Sequence, residues 1–393
     1  MPAKLPRVAL LIESSRTYGR GILAGIARQA HVIGPWSLFA QERELHSGVP
    51  AWLRSWKGDG IIARIEDQRM ASVLLRLGHP VVDVLGNAPF MGIPAFDTDA
   101  SAVARLAADF FLRAGFRHFA FVGYRNIPFS DRRAAAFADY LAGQQHKVRV
   151  FSAPVPNLQP AHIQAVEQSG LSREHAISTW LRKQPRPLAL LACNDVCGQQ
   201  VLNACREYAI KVPEEVAVMG VDNDDLLCSL CAPPLSSIAP DTDRMGREAA
   251  ALLDRMMRGE RPKPGLMVQI PPLRVVERAS TDAVAMEDPI TAQAVHFIRD
   301  HVGDGIAVKD VLAGVGRSRT DLEQRFRRWL SCSIRAEILR LRLDRVTNLL
   351  QQTDLTLAEI AARAGFASAS HLCRLFRQHF SATPTQYRSR LLK

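Results

Sequence analysis

Asp195 and Asp222 each stand just after an apolar run, in LALLACND and VAVMGVD, with Asn194 and Asn223 beside them. Ser14, Ser15 and Tyr18 follow the first such run, Arg64 closes DGIIAR, and Arg133 lies in DRRAAAF. A carboxylate accepts hydrogen bonds from vicinal hydroxyls, arginine and asparagine donate them, and an aromatic face covers C–H surface. Together these residue types suit an uncharged polyol. Each also has a plainer role: helix N-cap for Asp195 and Asp222, surface helix position for Arg133, packing for Tyr18 and Phe129. No catalytic residue is expected, because His31, His46, His79 and His118 are scattered and none pairs with a carboxylate at useful spacing.

Two further patterns bear on cofactors. Gly19, Gly21 and Ala24 form a G-x-G-x-x-A, with Glu42 about twenty residues on, which is the spacing of a dinucleotide-binding turn. In that fingerprint the first glycine follows its strand almost at once, whereas ESSRTY intervenes here. A nicotinamide-dependent oxidoreductase is therefore the rival reading, and no cofactor is expected. Cys228 and Cys231 form a C-x-x-C without a second pair or a nearby histidine, so no metal site is expected.

The elements that must position the polar set alternate between strand and helix. RVALLIE, WSLFA, DGIIARI and PVVDV read as one set of strands, and HFAFVGY, VRVF, PLALLAC and EVAVMGVD as a second, with the amphipathic SAVARLAADFFLRAG between them. Such alternation predicts parallel sheets covered on both faces, and two sets predict two lobes. Ligands of open parallel sheets sit beyond the carboxyl ends of the strands, where the polar residues lie. After LSSIAPD, a helix from Arg244 to Arg258 and the strand LMVQI are expected to return to the first lobe. The small, polar ERASTDAVAMEDP, from Glu277 to Pro289, reads as a hinge.

The last quarter has a different pattern. Leu357, Ile360, Ala361 and Ala364 make one apolar stripe that ends at Gly365, and Ser368 then caps a second helix with Leu372, Leu375 and Phe376 as its buried face. This is a helix-turn-helix. Ser370, Arg374 and Arg377 lie opposite the buried stripe, aimed as a major-groove reader needs. A solvated pair of amphipathic helices is the plainer reading, but the pattern repeats. Ser318, Leu322, Phe326, Leu330 and Ser331 stand fifty residues before Ser368, Leu372, Phe376, Phe380 and Ser381, and Val311, Leu312 and Val315 precede a Gly316 turn. The outward positions of the earlier copy are Thr320, Gln324 and Arg327, with Arg319, Arg325 and Arg328 beside them. Between the copies, Ser333 to Gln351 predicts one helix about 27 Å long, against a DNA repeat of about 34 Å.

Charge follows the same division. The chain carries a formal +11, and from Pro289 onward 17 Lys and Arg face 9 Asp and Glu, leaving +8 in that part. A basic unit also suits a membrane surface, but paired helix-turn-helices make double-stranded DNA the better partner. The 393 residues, 47% hydrophobic, are enough for two or three domains. No run of 18 apolar residues occurs, and MPAKLPRVALLIES lacks the length and cleavage site of a signal peptide. Seven cysteines, an odd number, suit reduced thiols in a cytoplasm.

The stretch from Ile306 to Tyr387, with VGRSRTDLEQRFRRWL, RLRLDRVTNLL and LAEIAARAGFASASHLCRLFRQHFSATPTQYR, resembles the DNA-binding domain of the AraC/XylS family of bacterial regulators. Ser331 and Ser381 depart from the glycine usual after its recognition helices. LLACNDVCGQQVL, VAVMGVDNDDL, DRRAAAF and LAADFFLRAGFRHFAFVG resemble the sensor domains of LacI/GalR repressors and type I periplasmic sugar-binding proteins. In that group the residues matching Arg133, Asn194 or Asp195, and Asp222 reach the sugar. The joining of the two is similar to the XylR-type xylose operon activators.

The resemblance implies a periplasmic-binding-protein-like α/β sensor over 1–280, a linker over 281–289 and an all-α DNA-binding domain over 290–393. It implies a cytoplasmic activator responsive to xylose or a related aldose and acting on the genes of its catabolism, with another sugar or a nucleoside as alternative ligand. Operator DNA, a second copy of the chain and RNA polymerase are the expected partners. The expected ligand residues are Ser14, Ser15, Tyr18, Arg64, Arg133, Asn194, Asp195 and Asp222. The expected DNA residues are Arg319, Thr320, Gln324, Arg327 and Arg328 in the first copy, and Ser368, Ser370, His371, Arg374 and Arg377 in the second. Sugar is expected to close the lobes and so favour one arrangement of a dimer on DNA.

Overall fold

Val8, Leu10 and Ile12 alternate with Ala9 and Leu11, and each set enters a different core on opposite faces of strand β1 (Arg7–Leu11). The computed structural model describes residues 5–45, 47–86, 92–153, 167, 170–282, 288–330, 332–353, 355–380 and 382–391. The chain forms two compact units, one of Met1–Leu112 with Arg117–Ala283 and one of Val284–Lys393 with Arg113–Phe116.

The first unit holds two sheets, each six-stranded among the described residues. Strands β2 (Ser37–Ala40), β3 (Gly60–Ala63), β4 (Val81–Asp83), β5 (Ala95–Thr98) and β11 (Met267–Ile270) join β1 in the order β11-β5-β4-β3-β1-β2, all parallel. Helices α1 (Thr17–Ile33) and α8 (Thr242–Met257) cover one face, and α2 (Gln68–Arg76) covers the other. The second sheet takes β6 (His118–Tyr124), β7 (Val148–Ala153), β8 (Leu188–Ala192), β9 (Val216–Val221), β10 (Ser236–Ala239) and β12 (Arg274–Val276), ordered β12-β10-β9-β8-β6-β7. Its helices are α4 (Pro128–Gly143), α5 (Gly170–Leu181), α6 (Asp195–Glu207) and α7 (Asp225–Leu230), and α3 (Ala100–Arg113) precedes β6. As expected, α8 and β11 return to the first lobe.

Two expectations need correction. The second sheet is not wholly parallel, because β12 runs antiparallel to β10. β5, β10 and β12 are also strands that periodicity did not single out; AFDT, SSIA and RVV are too short to show a period. The start of the expected hinge is fastened to the second lobe: Ser280 Oγ donates to Val218 O at 2.6 Å, and Ser280 and Thr281 are buried. Residues 283–287 lie outside the described residues, as do His46, Ser331 and Ser381.

The glycine pattern near the N-terminus has a packing cause. Gly19 and Gly21 lie inside α1 rather than at a phosphate-binding turn. A Cβ on Gly21 would meet Thr242 Oγ1 at 2.1 Å, one on Gly25 would meet Asp243 O at 2.2 Å, and one on Gly246 would meet Ile22 O at 2.2 Å. At these three positions the two helices approach too closely for a side chain, while a Cβ on Gly19 would meet Glu13 O at 2.0 Å.

In the second unit, α9 (Pro289–His301), α10 (Val308–Val315) and α11 (Arg319–Leu330) enclose one core around Val311, Leu322 and Phe326. Helices α13 (Leu357–Arg363), α14 (Ala369–Phe380) and α15 (Pro384–Leu391) enclose another around Ile360, Leu372 and Phe376. Helix α12 (Ile334–Gln352) runs unbroken through both, giving Ile334 and Ile338 to the first and Leu343, Val346 and Leu350 to the second. Its 19 residues span about 28 Å. Gly316 and Gly365 make the turns at φ 66° and 74°, where a side chain would be strained.

Candidate functional site

The carboxyl ends of strands from both sheets face a cleft enclosing about 500 Å³, part of it open to solvent. From the first lobe it is lined by Glu13, Arg16 and Tyr18 after β1, Arg64 after β3, Leu85 after β4 and Asp97 on β5. From the second lobe come Phe129 and Arg133 on α4, Asn194 after β8 and Asp222 after β9. The structure thus brings together Tyr18, Arg64, Arg133, Asn194 and Asp222 of the expected set.

Ser14, Ser15 and Asp195 do not line the cleft. Ser14 Oγ accepts from Arg43 N at 3.1 Å, fixing the following loop instead, and Ser15 is exposed. Asp195 is turned into the second lobe, where it accepts from Ser237 Oγ at 2.6 Å and Asp224 N at 2.8 Å. Burial, and after it the charge of Asp222, raises its pKa well above the carboxylate range. Asn223 is likewise turned away, accepting from Arg278 at 3.0 Å. The N-caps are Asn194 for α6 and Asp224 for α7, so neither Asp195 nor Asp222 serves as one. Arg133 is buried rather than a surface residue.

Within the cleft the charges are held by other charges. Arg133 donates to Cys193 O at 2.5 Å, lies 3.7 Å from Asp222 and stacks on Phe129 at 5.2 Å. Arg64 sits 3.3 Å from Glu13 Oε1, while Glu13 Oε2 is buried and makes no hydrogen bond among the described residues. Arg16 of the first lobe pairs with Glu167 of the second, which also accepts from Asn194 at 2.8 Å. Arg132 of the second lobe donates to Asp97 of the first at 2.7 Å. These two ion pairs cross between the lobes. Tyr18 lies 3.1 Å from Thr98 Oγ1, and burial raises its pKa.

Asp222 adopts φ 112° and Asn223 φ 46°, a conformation costly to non-glycine residues that aims the Asp222 carboxylate at the cleft. Burial raises its pKa to about 6, and Arg133 and Arg16 act against that rise. Asp83 positions the floor: it accepts from the backbone N–H of Ile65, Leu85 and Gly86, tying together the loops that carry Arg64 and Leu85.

Sequence reasoning missed Glu13, Arg16, Leu85 and Asp97. Glu13 and Arg16 flank the two serines in the same turn, so the rule that found the serines covers them too. Asp97 lay on an unrecognised strand.

The second unit presents its polar residues on two 12-residue helices, α11 and α14, set fifty residues apart. Arg319, Thr320, Gln324, Arg327 and Arg328 are exposed on the first, and Ser370, Arg374 and Arg377 on the second. Ser368 is exposed, but its hydroxyl accepts from His371 N at 3.2 Å as the helix cap. His371 is half-buried, its ring edge-on to Phe366 at 5.9 Å. Arg325 is not a free basic group, since it pairs with Asp288 at 2.5 Å and Asp321 at 2.8 Å.

Among the described residues the cysteines are free, no cluster of three or more His, Cys, Asp or Glu suits a metal ion, and no helix is long and apolar enough to cross a membrane.

Comparison with known proteins matches three stretches of the chain. Residues 7–90 match the XylR N-terminal domain, 108–281 a periplasmic binding protein-like domain and 312–390 a helix-turn-helix domain. The xylose operon regulatory protein of Escherichia coli K12 is 30% identical, over 99% of this chain and 98% of that protein. Its counterpart in Haemophilus influenzae is 28% identical, over 97% and 98%. The solved structure of the xylose-binding transcription activator XylR aligns at a TM-score of 0.61 and 29% identity, over 99% of each chain. A CelR–cellobiose complex, at 0.54 and 20% identity over 71% of this chain and 86% of that one, shares the sensor fold.

A two-lobed sensor joined to a double helix-turn-helix unit is the build of a sugar-sensing, DNA-binding transcription regulator, not of an enzyme. The chain belongs to the family of the xylose operon regulatory proteins.

Proposed function

We propose that the interlobe cleft binds D-xylose or a closely related aldose, and that the bound sugar activates transcription of the genes for its catabolism. The observation that carries this reading is the facing of Asp222 and Arg133 from one lobe with Glu13 and Arg64 from the other. Asp222 and the unpartnered Glu13 oxygen accept from sugar hydroxyls, Arg133, Arg64 and Asn194 donate to them, and Tyr18 and Phe129 cover the C–H faces. Hydrogen bonds to charged groups contribute about 1.5–3 kcal/mol each, so a few of them set sugar affinity.

The sensor occupies residues 1–280, the linker 281–289 and the DNA-binding domain 290–393. Arg319, Thr320, Gln324, Arg327 and Arg328 of α11, with Ser368, Ser370, His371, Arg374 and Arg377 of α14, face two successive major grooves of the operator. The regulator works in the cytoplasm as a homodimer and contacts RNA polymerase. Differential affinity of the sugar for the closed form shifts the dimer towards the arrangement that binds the operator.

Titration calorimetry with D-xylose, L-arabinose, D-ribose, D-glucose and a nucleoside tests the ligand. D-xylose is expected to bind more tightly than the rest. Tighter binding of the nucleoside, or no heat from any of them, would sink the aldose reading.

A further inference from the structure

Asp222 holds a φ of 112°, outside the left-handed well that aspartate and asparagine tolerate, and Asn223 follows at φ 46°. One side of this loop is held from within the lobe: Asn223 N donates to Ser237 Oγ at 3.0 Å, and Asp224 N to Asp195 at 2.8 Å. The other side is held by Arg278. Its guanidinium donates to Asn223 Oδ1 at 3.0 Å, to Asp225 Oδ1 at 2.9 Å and to Leu235 O at 2.9 Å. The side chain is 13% exposed, so these bonds are sheltered, while its Asp225 partner is out in water.

The backbone of the same residue is clamped to the sheet. Arg278 N donates to Ser236 Oγ at 2.7 Å, and Ser236 Oγ lies 2.7 Å from Thr281 Oγ1. The described chain runs on only to Asp282 before it resumes at Asp288, which accepts from Thr291 N to cap α9. A single side chain thus joins the loop that presents Asp222 to the last residues before the chain leaves the sensor. A planar fork of donors fixes relative position better than the single point charge of lysine.

We propose that Arg278 is a positioning residue that couples occupancy of the cleft to the root of the linker, and so to DNA binding. The proposal rests on the reading of the cleft as the sugar site. When the loop moves to engage a ligand, Arg278 carries the movement into residues 278–281. Removing the fork leaves sugar affinity in place and uncouples it from DNA.

The test uses the full-length protein, D-xylose, and a DNA duplex selected by the wild-type protein from a random pool. Two variants are made: Arg278→Ala, and Asn223→Gly, which deletes the acceptor while relieving the left-handed backbone and so keeps the experiment open if the first fails to fold. Both are expected to bind D-xylose within about threefold of wild type, while the xylose-induced change in duplex affinity falls at least threefold. Arg278→Lys should restore part of it. A merely structural role would leave Asn223→Gly fully coupled, and full coupling in both variants overturns the proposal. Amide exchange in the ligand-free protein separates the two readings. Arg278→Ala should speed exchange at Asn223 and Asp224 about tenfold. Unchanged exchange overturns the relay even where D-xylose fails to bind the wild type, a result that by itself sinks only the ligand assignment.

Discussion

Asp222 carries opposite demands at the scale of a single residue. A half-buried carboxylate with a pKa raised to about 6 costs stability when ionised, yet the ionised form is the acceptor a sugar hydroxyl needs. An unfolded aspartate titrates near about 3.9, so this group's contribution to stability is fully present below that pH and is lost as pH rises through about 6. Sugar affinity runs the other way, weakening as pH falls below about 6. Asp222→Asn is therefore expected to weaken D-xylose binding at least tenfold at pH 7.5, to flatten its pH dependence, and to raise the ligand-free melting temperature. Calorimetry between pH 5 and 8 and a thermal melt check both signs; a lower melting temperature would mark Asp222 as structural. On the DNA side, Arg374→Ala and Gln324→Ala are expected to relax sequence preference by about 1–3 kcal/mol, as loss of a bidentate base contact does. Arg327→Ala and Arg328→Ala should instead weaken binding to all duplexes and lower the salt slope by about one each. Competition and salt titrations distinguish the pairs. Unchanged selectivity in the first pair would mean that another helix face reads the bases.

The contact between α1 and α8 supports the cleft at the level of elements. Arg16 and Tyr18 stand at the start of α1, and α1 is held against α8 through Gly21, Gly25 and Gly246. Gly246→Ala places a methyl 2.2 Å from Ile22 O, a backbone atom that cannot swing aside. The helices must separate, at about 1–3 kcal/mol for such overpacking. The expected outcome is a lower melting temperature together with weaker sugar binding, because the cleft end of α1 moves with the helix. A substitution that lowered stability and left sugar affinity untouched would show that α1 does not set the position of Tyr18. Of the dinucleotide-like pair, Gly21 makes way for Thr242 of α8 and Gly19 for the carbonyl of Glu13, so packing accounts for both.

The whole molecule divides sensing and DNA binding between two compact units, so any influence of one on the other is a coupling free energy. Linkage requires reciprocity: if D-xylose changes duplex affinity by some factor, saturating duplex must change D-xylose affinity by the same factor. Values of about 5–150-fold are usual for such coupling. Measuring both legs at one protein concentration tests this. Unequal factors would show that a further equilibrium, such as a change in dimerisation, takes part.

The two-lobed α/β class, the paired helix-turn-helix and the single spacer helix could all be read from the chain alone. Local pattern determines them: Val8 to Ile12 form one continuous apolar run, Leu372 and Phe376 recur at helical spacing, and glycine marks each helix-turn-helix turn. The rule that ligands lie after strand ends located Tyr18, Arg64, Arg133, Asn194 and Asp222 for the same reason. Only tertiary packing decided which of two adjacent polar residues faces the cleft. Asp195 turns inward and Asn194 outward because Ser237 and the Asp224 amide offer the inner carboxylate its partners. Glu13, Arg16 and Asp97 join the site through pairs with Arg64, Glu167 and Arg132, which lie 51, 151 and 35 residues away. Such separations leave no period in a sequence; folding alone brings those charges together.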